Sequence, residues 1–175
     1  MHPPLLVVVT GMPSSGKTTV AEALSRRLSL PLIAKDAIKE SLYDTLGAED
    51  VAASTRLGDA AYGLIFALAR AALASGASVI VEGNFFPDHA SSIATLPDHR
   101  LVQIHCSAPL DVLMERYASR ERHAVHHDAD KIAELPARFE SGAHAPLALA
   151  GELIELDTTQ QLDLEQLAAR IRAEP

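Results

Sequence analysis

Tryptophan is absent from the 175 residues, and aromatic side chains as a whole make up only 4%. Proteins that hold single-stranded nucleic acid by stacking bases need aromatic platforms, so the composition argues against that class. Basic residues are also in deficit, 15 against 23 acidic for a formal net charge of −8. Nucleic-acid binders carry a basic surplus that releases counterions on binding, so a polynucleotide partner is disfavoured twice over. One cysteine, Cys106, stands alone, which excludes a disulfide framework within the chain and suits a reducing cytosol. Its place inside the apolar run Leu101–Cys106 reads as a small buried hydrophobe rather than a catalytic thiol. The opening residues Met1-His2-Pro3-Pro4 lack a positive leader, and Leu5–Val9 is too short for a signal peptide or a membrane span. A soluble cytoplasmic protein with no membrane contact is therefore expected.

Hydrophobic residues make up 48%, enough for one domain over residues 1–175 with a sizeable core. Short apolar runs, Leu5–Thr10, Leu32–Ala34, Ser78–Val81, Leu101–Cys106 and Leu153–Leu156, alternate with longer amphipathic segments. Continuous Val/Ile/Leu runs belong to parallel strands covered on both faces. Between them, Val20, Leu24 and Leu28 recur at helical spacing, as do Leu110, Leu113, Met114 and Tyr117, and later Leu164, Leu167 and Ile171. This order predicts an α/β fold with a mostly parallel sheet. Residues 36–76 leave room for two or three helices. Residues 118–142, rich in Arg, His, Asp and Glu, read as a mobile, solvated excursion over the sheet edge.

Gly11-Met-Pro-Ser-Ser-Gly16-Lys17-Thr18 fits G-x-x-x-x-G-K-[ST] at every fixed position, directly after an apolar strand and before an amphipathic helix. Gly11, Pro13, Ser14, Ser15 and Gly16 shape a backbone cradle whose amides turn toward phosphate oxygens. Lys17, Thr18 and Thr19 open the helix, whose N-terminal partial charge adds to the attraction. Lys17 supplies a full charge to the β- and γ-phosphates, and Thr18 a hydroxyl to a magnesium ion. These residues are the expected ATP site. The guanine-reading N-K-x-D box of regulatory GTPases is excluded, since the one Asn in the chain, Asn84, precedes Phe85. The Asp-Glu pair of mechanical ATPases is missing too, because the third strand ends Val81-Glu82-Gly83.

What remains is a compact phosphotransferase. From Leu5 to about Thr159 the chain resembles the small P-loop kinases, closest to the AAA_33-type bacterial kinases related to phage polynucleotide kinase, chloramphenicol phosphotransferase and the zeta toxins. The resemblance implies a three-layer P-loop NTPase fold, a five-stranded parallel sheet in the order 2-3-1-4-5, and a lid at about residues 116–130. It implies Mg-ATP as phosphoryl donor and a hydroxyl acceptor that the motifs leave open: a metabolite, nucleoside or antibiotic ahead of a polynucleotide end. A nucleotide-binding regulator with residual hydrolysis is a third reading. Kinases of this kind are often monomers or homodimers.

Three further constellations bear on the chemistry. Asp36, in Lys35-Asp36-Ala-Ile-Lys39-Glu40, follows the second strand, where a carboxylate can take a proton from an attacking hydroxyl. In the resembled kinases an Asp in an Asp-x-x-Lys/Arg setting serves as base and the basic residue, matched by Lys39, contacts substrate; helix capping is the competing role for Asp36. Glu82 ends the third strand, where P-loop proteins commonly place a magnesium-holding acid; related kinases often have Asp there. Asn84 beside it is expected to orient substrate, and Phe85-Phe86-Pro87 to line the acceptor pocket, with Phe85 named as a contact. Arg116 and Arg120, four apart on a helix Pro109–Arg120, are read as projecting from one face. The resemblance puts the first on adenine and the second on the transferring phosphates; a solvated face paired with Asp111, Glu115 and Glu121 is the alternative. Thr158, after the last strand, is expected near the adenine. Tyr62 and Phe66 are expected in the core, and His123, His126 and His127 in the lid rather than on zinc.

Overall fold

The computed structural model describes residues 3–120, 123–126 and 132–173. Five strands, β1 (Leu5–Gly11), β2 (Leu32–Ala34), β3 (Val79–Glu82), β4 (Arg100–Ser107) and β5 (Glu152–Asp157), form one sheet. All pairings are parallel and the order is β2-β3-β1-β4-β5. The expected order is thus the observed one. Helices α1 (Lys17–Leu28), α2 (Lys35–Leu46), α3 (Val51–Ala74), α4 (His89–Ala94), α5 (Leu110–Ser119), α6 (Leu135–Glu140) and α7 (Leu164–Arg172) fill the connections. Two helices, not three, occupy residues 36–76.

Strand β1 explains the layering. Leu6 to Val9 are wholly buried, and alternation sends Val7 and Val9 to one face, Leu6 and Val8 to the other. Val7 and Val9 pack with Val20 and Leu24 of α1 and Leu167 and Ile171 of α7. Leu6 and Val8 pack with Ile65, Ala69 and Leu73 of α3 and Ile93 of α4. Each such side chain contributes about 1.5–3 kcal/mol by leaving water. A third, smaller core joins Met12 to Leu113, Tyr117 and Leu135.

Helix α3 is long and apolar enough to cross a bilayer, and is the one such helix among the described residues. Its stripe Ala61, Ile65, Ala69 and Leu73 is buried on the sheet, as in the core helix of a globular domain. The region expected to be a solvated excursion is tied down where it is described. Val125 is fully buried in the turn Ala124–His126, and Leu135 is 1% exposed at the start of α6. Val125 stands apart from other large apolar residues, so no periodicity marks it, whereas Leu135 follows Ile132 at helical spacing.

The end of β1 fixes the loop that follows. Gly11 has φ of 144°, outside the range open to other residues. A Cβ there would lie 2.2 Å from the Cys106 carbonyl oxygen, across the β1–β4 register that pairs Gly11 with Cys106. Gly11→Ala must therefore move a central strand as well as adopt a strained φ. We expect a loss of roughly 3 kcal/mol or more, read as a lower urea midpoint with far-UV circular dichroism.

Candidate functional site

The loop Met12–Gly16 turns under the tip of β1 with Ser14 and Gly16 both at positive φ, 64° and 81°. The Ser15 amide closes on the Met12 carbonyl at 3.1 Å, and α1 begins at Lys17 with Gly16 as its cap. Thr158 lies over the loop: a Cβ on Gly16 would come within 3.4 Å of it. The hydroxyls of Ser14 and Ser15 are buried without a hydrogen-bond partner. Orphaned donors around a helix N-terminus are what an anion satisfies.

Lys17 is 6% exposed. Its Nζ donates to the Met12 carbonyl at 3.4 Å and lies 4.0 Å from Glu82 Oε1. Thr18 Oγ1 donates to the same Glu82 oxygen at 3.4 Å. Parallel pairing places Glu82 opposite Val9, two residues before the loop. Burial pushes the Glu82 carboxyl above its ordinary range, an effect that Lys17 and the Thr18 hydrogen bond oppose. A hydroxyl and a desolvated carboxylate side by side are the hard oxygen donors a magnesium ion takes, so the residues present fit the ion. Thr19 follows on α1, exposed.

Beside the loop opens a cavity of about 220 Å³ whose walls include Pro13, Asp36, Lys39, Asn84, Phe86 and Arg120. Asp36 enters it from the first turn of α2. The helix cap is Ala34, with no side-chain cap bond, so Asp36 does not cap α2; its Oδ1 instead accepts from Lys35 Nζ at 3.1 Å. Lys39, one turn on, is 3% exposed, and its Nζ donates to Ser54 Oγ at 2.8 Å and the Val125 carbonyl at 3.3 Å. Ser54 Oγ donates to that carbonyl as well, at 2.6 Å. Further along α2, Glu40 meets His126 Nε2 at 2.7 Å and Asp44 meets His123 Nε2 at 3.1 Å. One helix thus presents a carboxylate to the cavity and holds the 123–126 turn over it. Two of the three histidines are engaged by α2; His127, with Glu121, Arg122 and Asp130, lies outside the described residues.

The two arginines part company. Arg116 on α5 donates to Thr158 Oγ1 at 2.9 Å and to the Thr158 carbonyl at 3.0 Å, on the side of the loop away from Asp36. Arg120 is no longer helical; α5 ends at Ser119, and extended backbone at Arg120 breaks the shared face that i, i+4 spacing implies. Its guanidinium lies 4.0 Å from the Tyr117 ring centroid and lines the cavity. The arginines therefore sit at different places around the loop rather than side by side.

Two expectations about the cavity need correcting. Phe85 does not line it: the ring is fully buried in the core beneath α3, and Phe86 takes the cavity position. Successive residues after a strand point to opposite sides, and the sequence does not say which side is inside. Tyr62, expected in the core rather than the pocket, packs against the core and walls the cavity as well; its hydroxyl donates to the Asn84 carbonyl at 2.7 Å and its ring lies 4.2 Å from that of His89. Phe66 does pack in the core with Phe85. Thr55, Gly58 and Asp59 were not singled out from the sequence, yet they share Tyr62's face of α3 and line the same cavity. A polar stripe at i, i+3, i+4 and i+7 on an otherwise apolar helix is the signal that marks them. Cys106 is buried and its thiol is pushed up to about 12, which leaves negligible thiolate near neutrality.

A glycine-shaped phosphate loop beneath a 2-3-1-4-5 parallel sheet, with an adjoining polar cavity, defines the fold of P-loop kinases. The chain belongs to the AAA_33 family, whose model, described as an AAA domain, matches residues 6–141. It is 36% identical to a candidate kinase from Chloroflexus aurantiacus, with 98% of each chain covered and a TM-score of 0.87. Fold similarity alone extends to a sugar kinase from Janibacter sp. (21% identity, 96% of this chain and 92% of that one, TM-score 0.64). It extends also to a shikimate kinase from Bacteroides thetaiotaomicron (16%, 97% and 96%, 0.54). No protein of curated function matches the chain.

Proposed function

We propose that this protein moves the γ-phosphoryl group of ATP to a hydroxyl of a small-molecule acceptor. The observation that carries the reading is the cavity walled at once by the phosphate-loop residue Pro13, the carboxylate of Asp36 and the guanidinium of Arg120. The acceptor binds in this cavity and the ATP polyphosphate on Gly11–Thr18. Asp36 accepts the proton as the acceptor oxygen attacks the γ-phosphorus; the bond to the β,γ-bridging oxygen breaks, and its electron pair leaves with ADP. Lys17 and Arg120 oppose the charge carried by the passing phosphoryl group. Arg116 and Thr158 form the adenine side of the nucleotide site. Thr18 and Glu82 would hold magnesium, which would neutralise phosphate charge. The buried lone cysteine supports a cytoplasmic location.

The test is a screen of hydroxyl compounds for acceptor-stimulated ADP release by the magnesium-loaded enzyme. A compound that raises ADP release at least tenfold and is recovered as its phosphate monoester supports the reading. Labelling of oligonucleotide 5′ ends instead would transfer the activity to polynucleotides. Nucleotide-dependent association with a protein, without any acceptor stimulation, would make the chain a regulator.

A further inference from the structure

Gly58 lies well inside the 24-residue helix α3, where glycine weakens a helix relative to alanine. Nothing in the packing asks for glycine: a Cβ built there meets no atom within 4 Å. The residue is nevertheless buried, and it lines the cavity beside Asp36. Gly63 on the same helix also has open space above it, but that space is solvent. The missing side chain at Gly58 therefore keeps part of the cavity open.

The surrounding groups describe what fills it. Asp36 and Asp59 accept hydrogen bonds, Lys35, Lys39 and Thr55 donate them, and all five line the cavity. Asn84 adds an amide oxygen that is buried without a partner and so asks for a donor. The rings of Tyr62 and Phe86 offer apolar faces between these polar groups. Hydroxyls both donate and accept, and suit a wall where the two kinds alternate. An acidic acceptor would meet two carboxylates, and a cationic one four cations, Lys35, Lys39, Arg120 and Arg138, of which Lys35 and Arg138 already pair with Asp36 and Glu134. The 220 Å³ volume is below the ~300 Å³ at which drug-sized pockets begin, which matches a single ring or a short carbon chain.

We propose that Gly58 is a specificity-determining seat for the acceptor, and that the acceptor is an uncharged, hydroxyl-rich small molecule whose carbon skeleton rests on the α3 backbone at that residue. The inference rests on the phosphotransferase reading above. It makes Gly58 a residue kept small for the ligand at a cost to the helix.

The test combines two variants with two acceptor panels. One panel holds uncharged polyols (pentoses, hexoses, myo-inositol); the other holds sugar acids and amino sugars. Wild type should release ADP with a member of the first panel. Gly58→Ala should unfold at a higher urea concentration than wild type, yet raise the KM for that acceptor about tenfold. Gly58→Leu should raise it a hundredfold or more, and both should bind a fluorescent ATP analogue within twofold of wild type. An acceptor KM within twofold of wild type in both variants overturns the seat. ADP release with the second panel alone overturns the polyol class while the kinase reading stands. Nucleotide binding with no ADP release from either panel, against release from other hydroxyl compounds, again overturns only this inference. No release from any hydroxyl compound overturns both.

Discussion

Replacement of Lys17 by Ala is expected to lower phosphoryl transfer by about a thousandfold or more, since one preorganised charge at a developing anion is worth a hundred- to a thousandfold in turnover even where it is only a hydrogen-bond donor. The side chain is 6% exposed and lies between the loop carbonyl of Met12 and the carboxylate of Glu82. The variant therefore also leaves a buried acid without its nearest cation. The sign of the effect on stability follows. Burial already raises the Glu82 pKa above its ordinary value of 4.5, and Lys17 is the largest influence lowering it. Between the unfolded and folded pKa values the folded state binds the extra proton, so stability falls as pH rises through that window. Loss of Lys17 raises the folded pKa further and widens the window upward. Lys17→Ala should thus lose more stability than wild type as pH rises from 4.5 upward, measured by urea titration at each pH. An equal pH dependence in the two proteins would separate Lys17 from Glu82 energetically. Undiminished transfer would remove the phosphate role.

The parts of this site that the sequence shows are those where the backbone itself is the functional element. Gly11 and Gly16 are demanded by positive φ and by the closeness of the Cys106 carbonyl, and the apolar runs on either side fix strand and helix. Glu82 is legible for a related reason: it ends a strand that must lie beside β1, so register alone sets it opposite Val9. Legibility fails where direction is decided by packing between distant segments. Phe85 leaves the cavity wall while Phe86 stays on it, because the turn after β3 sends one ring under α3 and the other toward the cavity. Arg116 and Arg120 separate because α5 stops one residue earlier than the spacing rule assumes. Lys39 illustrates a third kind of failure. The resemblance names it as a substrate contact, and it does line the cavity, but its Nζ donates to Ser54 and to the Val125 carbonyl, 15 and 86 residues away in the chain. No local pattern carries a bond of that reach. The stripe Thr55, Gly58, Asp59 and Tyr62 was legible in principle. It is masked by the hydrophobicity of the rest of α3, which reads first as a core helix.

Asp36→Asn is the substitution that separates chemistry from binding, and it should cut turnover about a hundredfold or more, within the range general-base catalysis contributes. Three structural facts make the result interpretable. Asp36 does not cap α2, since Ala34 is the cap and no side-chain cap bond is made. Its bond to Lys35 joins a group 13% exposed to one 27% exposed, and the amide oxygen of Asn can still accept it. Asn also matches Asp in size, so the cavity keeps its shape. The unfolding midpoint should therefore stay close to wild type, and ATP affinity should be unchanged, because the phosphate loop is built from residues 11–18 on a different strand. What the amide lacks is the capacity to take a proton. Turnover should accordingly fall while the KM for ATP stays within twofold of wild type. A structural role for Asp36 would lower the midpoint and weaken ATP binding along with turnover. Full turnover would mean that the acceptor proton leaves by another path, through solvent or directly to a phosphate oxygen.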